Sequence, residues 1–60
     1  MKTKELLAVL KAAGFVLKRH GASHDIYSNG VVDLAVPRHK KELRTGTAEG
    51  ILKEAGLKQP

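Results

Sequence analysis

Three histidines, His20, His24 and His39, are the only side chains in this 60-residue chain whose ordinary proton affinity lies near neutral pH. Cysteine is absent, which excludes thiol catalysis and every cysteine-ligated zinc site. His20 and His24 are four residues apart, but they flank a turn between predicted strands rather than sharing a helix face, and the carboxylates are scattered, so no metal is expected. His24 has the most suggestive setting, directly after the turn-forming run Gly21-Ala22-Ser23 and at the start of a β-forming segment. Cleavage of RNA by its own 2′-hydroxyl needs a group to take that proton and a group to protonate the leaving 5′ oxygen. It also needs positive charge against the phosphorane-like transition state. His24 suits either proton-transfer role, with Lys18, Arg19 or Arg38 as electrostatic partners and Ser23 to orient the loop or a phosphate oxygen. A lone histidine beside a turn is more often a plain surface residue, so spacing alone does not decide the matter.

The stretch from Pro37 to Arg44 carries Arg38, His39, Lys40, Lys41 and Arg44 and is the most basic of the chain. Placed just ahead of a helix, it can hold phosphates together with the helix N–H groups, and Lys18 and Arg19 are expected to join the same face. His39 reads there as a phosphate or partner contact. His20 can pair with Asp25 or Asp33, and Tyr27 either stacks on a base or fills part of the core. Eleven Lys and Arg against six Asp and Glu give a formal charge of +5, with a pI near 9.9, which favours polyanionic partners. Charge of this size also occurs in small proteins that bind no polyanion.

The elements that must position these groups follow from hydrophobic periodicity. Leu6, Val9, Leu10 and Ala13 recur at helical spacing, which predicts a helix over 3–13 with Thr3 as N-cap. Gly14 and Phe15 fit a Schellman-type stop. Alternation over 15–20 predicts a strand with Phe15, Leu17 and Arg19 on one face. A second strand spans 24–28, and Asn29-Gly30 marks a hairpin turn. The β-branched run 31–36 predicts a third strand ended by Pro37. Ala48, Ile51, Leu52 and Ala55 predict a last helix, capped by Thr45 or Thr47 and stopped at Gly56-Leu57. The order α-β-β-β-α predicts an α+β fold, a three-stranded antiparallel sheet with both helices on one face and the other face free for a ligand.

Sixty residues suffice for one domain, expected over 1–60. Apolar residues make up 42%, yet Phe15 and Tyr27 are the only aromatics, so the core is thin and a stabilising partner is expected. Charged residues at Lys2, Lys4 and Glu5 interrupt any leader-like apolar run, and no stretch is long enough to span a bilayer. With no cysteine, the expected compartment is the cytoplasm.

The residues that carry chemistry also carry a resemblance. Lys4-Glu5-Leu6-Leu7, Gly14-Phe15-Val16, Gly21-Ala22-Ser23-His24, Val36-Pro37-Arg38-His39, Glu42-Leu43, Gly46-Thr47, Ile51-Leu52-Lys53 and Ala55-Gly56-Leu57 stand in the order and spacing of the HicA toxins of bacterial and archaeal toxin–antitoxin pairs. The chain resembles that family over nearly its whole length. The resemblance implies a double-stranded-RNA-binding-domain-like fold and an mRNA-cleaving endoribonuclease that needs no cofactor. It also implies neutralisation by a HicB-type antitoxin, DNA contact only through that antitoxin, and His24, in the Gly-x-Ser-His motif, as catalytic residue. Lys18, Arg19, Ser23, Arg38, His39, Lys40 and Lys41 are the expected RNA contacts. Many relatives have a second histidine after the catalytic one, where this chain has Asp25, and the hairpin loop here is short.

A small RNA-binding module that does not cut is the rival reading. A protein whose basic face serves an acidic partner is a third.

Overall fold

Four-residue spacing places Leu6 and Leu10 on one stripe of the first helix, and that stripe is buried together with Thr3. The computed structural model describes residues 1–57 and orders them as α1 (Thr3–Ala12), β1 (Val16–His20), β2 (His24–Ser28), β3 (Asp33–Pro37) and α2 (Thr45–Glu54). The three strands form one antiparallel sheet in the order β1-β2-β3, giving the expected α-β-β-β-α arrangement.

Period two along the sheet selects its buried face. Tyr27 opposes Leu34 and Asp25 opposes Val36; Tyr27, Leu34 and Val36 are buried. Leu6 and Leu10 of α1, Ala48 and Ile51 of α2, and Phe15 and Leu43 from the connections complete one core. Both helices therefore cover the same face of the sheet. Tyr27 is only 6% exposed and belongs to this core, so it is not a base-stacking platform.

Both helices stop by the same chemistry. Gly14 has φ +94°, its N–H donates to the Lys11 carbonyl, and the Phe15 N–H reaches back to Leu10 at 2.9 Å. Gly56, with φ +76°, and Leu57 repeat this on Lys53 and Leu52.

The helix starts depart from expectation. Lys2, not Thr3, occupies the first N-cap position, and the Glu5 carboxylate accepts the Lys2 N–H. The Thr3 hydroxyl instead donates to the Lys40 carbonyl, and its N–H to that of Lys41. Thr3 thus ties α1 to the basic segment, which outcompetes a local cap. At α2 the N-cap position belongs to Arg44, and neither Thr45 nor Thr47 provides the cap expected of it. The buried stripe of α1 also excludes Val9, which is 40% exposed, and Ala13.

Two strands shift as well. In β1, Leu17 pairs with Tyr27 and Arg19 with Ile26, so Lys18 is the extra residue of a β-bulge and simple alternation fails there. The hairpin loop runs longer than Asn29-Gly30: the Asn29 side chain accepts from the N–H groups of both Val31 and Val32, holding them in the turn. Val31 is 89% exposed and β3 begins at Asp33, running through Pro37. Pro37 is tolerated because β3 is an edge strand.

Candidate active site

The turn before β2 is closed by backbone contact. The Gly21 N–H donates to the His24 carbonyl at 2.6 Å, and a Cβ on Gly21 would lie 2.8 Å from that oxygen, so only glycine fits without a shift. A second tie comes just after β3, where the Arg38 N–H donates to the Ser23 carbonyl at 3.2 Å, one step beyond the His24–Pro37 pair.

The Arg38 side chain completes the enclosure. Its guanidinium donates to the carbonyls of Gly21 and Ala22 at 2.7 and 2.8 Å and meets the Asp25 carboxylate at 3.3 Å. Asp25, whose side chain is 17% exposed, also holds the His20 ring nitrogen at 2.7 Å. The hydrogen bond from His20 is the main force holding the Asp25 carboxyl below its ordinary value of 3.8, and the charges of His20 and Arg38 add to it against the opposing effect of burial. His20 thus takes the first of its two expected partners.

His24 itself is exposed, and its Nδ1 lies 3.0 Å from the Ser23 hydroxyl. That contact leaves Nε2 as the outward nitrogen. Beside it opens a groove of about 480 Å³ whose walls include Ser23, His24, His39, Lys40, Arg44 and Thr47. Thr47 lies in the first turn of α2, so the groove runs past that helix's N-terminus, where unpaired N–H groups favour negative charge.

Of the residues expected to contact RNA, Ser23, His39 and Lys40 share this groove with His24. Arg38 does not join them as a free cation, because the turn and Asp25 engage it. Lys41 lines a neighbouring groove against α1 with Lys2, Lys4 and Lys11. Lys18 pairs with Asp33 at 2.8 Å across the open face of the sheet, and this bond, with a lesser one from Ser28, lowers the Asp33 carboxyl below 3.8. Arg19 stands on β1, outside the groove. Thr47 was not a candidate from sequence; its place on the first turn of a helix that follows a basic segment is the signal that points to it. Among the described residues no three His, Asp or Glu side chains gather into a metal-holding cluster.

Fold and groove define the class: a small basic α+β domain with two histidines and several cations along one cleft. The sequence profile of the family described as HicA toxin of bacterial toxin-antitoxin matches residues 3–57, and the chain belongs to that family. Membership implies pairing with a HicB-type antitoxin. Comparison with curated proteins and with solved structures returned no match. No helix among the described residues is long and apolar enough to cross a membrane.

Proposed function

We propose that this HicA-family toxin is an endoribonuclease that cuts mRNA in the cytoplasm without a metal ion, with His24 as its catalytic residue. The observation that carries the reading is the setting of His24: backed by Ser23 at 3.0 Å, it faces a groove that also holds His39, Lys40 and Arg44. The groove cations bind the RNA backbone and offset the charge that builds on the phosphorane-like transition state. His24 transfers a proton on the 2′-hydroxyl or the leaving oxygen. Ser23 orients the ring, Lys41 and Arg19 extend the basic surface beyond the groove, and Lys18 joins it only on leaving Asp33. The antitoxin neutralises the toxin by binding it as a protein, and any DNA contact belongs to the antitoxin.

The test is growth arrest and bulk mRNA decay after induced expression of the wild type beside His24→Ala, with folding of both followed by circular dichroism. Arrest and decay with the wild type alone support the reading, and retained RNA affinity in the variant separates catalysis from binding. Equal behaviour of the two proteins removes His24 from the mechanism, and shared inactivity points to a binding module. Cleavage by purified protein should persist in EDTA; complete loss, restored by a divalent ion, would overturn the metal-free mechanism.

A further inference from the structure

An RNA 2′-hydroxyl attack needs two proton transfers, and His24 can make only one of them in a single step. The groove beside His24 contains a second group able to make the other. We propose that His39 is the general acid of this site, protonating the leaving 5′ oxygen while His24 takes the proton of the 2′-hydroxyl. This rests on the nuclease reading above and adds to it the identity of the second proton-transfer group.

Several observations converge on His39. His24 opposes Pro37 across the β2–β3 pair, the next residue is bonded back to Ser23, and His39 follows at once. The chain thus delivers His39 to the wall of the groove that His24 also lines. The residue between them in this path, Arg38, is fixed by Asp25 and by two carbonyls, so the segment carrying His39 has a defined origin. His39 is exposed and, among the described residues, its ring has no hydrogen-bond partner, which leaves both nitrogens available to a substrate. His20, the remaining histidine, is engaged by Asp25 and lies outside the groove.

The division of labour is one that Ser23 can support. With its Nδ1 3.0 Å from the Ser23 hydroxyl, His24 can direct an Nδ1–H at that oxygen both when Nε2 carries a free lone pair and after Nε2 has gained a proton, the change that a base undergoes. In the step, the bond from 2′-oxygen to phosphorus forms and the bond from phosphorus to the 5′ oxygen breaks. The 2′ proton passes to His24 and the His39 proton to the 5′ oxygen, giving a 2′,3′-cyclic phosphate and a 5′-hydroxyl. Lys40 and Arg44 line the same groove, while Glu42, the carboxylate of the groove wall, is drawn to the N-terminal ammonium at 3.1 Å.

The decisive experiment uses two short RNAs, one normal and one with sulfur in place of the bridging 5′ oxygen at a cleavage site, since a thiolate leaves without a proton. His39→Ala and His39→Gln should cleave the normal RNA at least about 100-fold more slowly than the wild type, with affinity changed only a few-fold. Both should regain near-wild-type rates on the sulfur-linked RNA, where His24→Ala stays slow. A His39 variant that cuts normal RNA as the wild type does overturns the proposal. So does an equal defect on both RNAs, which would make His39 a phosphate contact or a structural residue. If the wild type cleaves neither RNA, the nuclease reading fails and the general acid with it; wild-type cleavage with indifferent His39 variants defeats the general acid alone.

Discussion

The Arg38 guanidinium stands 3.3 Å from the Asp25 carboxylate and caps the carbonyls of Gly21 and Ala22, so its charge serves the turn that presents His24. On the nuclease reading Arg38 positions the turn, and its behaviour on substitution should differ from that of the cations lining the groove.

Arg38→Ala should lower stability by roughly 1.5–3 kcal/mol, the range for hydrogen bonds to charged groups, and reduce kcat more than it weakens RNA binding. Arg38→Lys should recover little, since one ammonium does not reproduce the fork that meets two carbonyls and a carboxylate. Lys40→Ala should weaken RNA binding with kcat less affected. It should also flatten the dependence of log affinity on log salt by about 0.7 for each single-strand phosphate that the variant no longer neutralises. Affinity titrations at several salt concentrations beside single-turnover rates separate the two.

Acid should loosen the sheet through two carboxylates. Asp25 and Asp33 both have folded-state values below 3.8, held down chiefly by His20 and by Lys18 respectively. Their contribution is complete above the ordinary carboxylate range and is lost as pH falls through the depressed folded values, starting at about pH 5. Urea midpoints measured from neutral to acid pH should fall in the wild type and fall less steeply in the Asp25→Asn/Asp33→Asn protein. Parallel curves would show that neither pair matters to folding.

Gly21→Ala should damage the site more than the fold. The new methyl carbon would stand 2.8 Å from the His24 carbonyl oxygen, against which the Gly21 N–H is already hydrogen-bonded. Far-UV circular dichroism should stay close to wild type while RNA cleavage drops by at least tenfold.

The two faces of α1 give an internal contrast. Leu10→Ala empties a fully buried position and should cost about 2–5 kcal/mol, much of the stability of a domain this small. Val9→Ala, on the exposed side, should change the melting temperature only slightly. Equal losses at Val9 and Leu10 would restore the helix face that the sequence spacing suggests.

Periodicity made the fold readable because burial here is mostly one-sided: Leu6 with Leu10, Tyr27 with Leu34 and Val36, and Ala48 with Ile51 each repeat at the period of their element. The two helix stops were readable because Gly14 and Gly56 each need a positive φ. The helix starts were not, because the Thr3 hydroxyl bonds to Lys40, a partner 37 residues away that no local rule anticipates. The bulge at Lys18 and the four-residue turn after Ser28 likewise depend on register and on one asparagine side chain. At the candidate site, composition marked out the basic segment but could not sort its members. Arg38 and His39 are neighbours in sequence, yet the first turns into the protein and the second lines the groove.

The closure of the turn by Gly21, Asp25 and Arg38 also has a genetic consequence. Cells rescued from an expressed toxin should carry inactivating changes at these three positions as well as at His24. A map of survivors would then outline a toxicity-determining region wider than the groove, with Arg38 ranking beside His24 although its charge is directed at carbonyls and a carboxylate of its own chain.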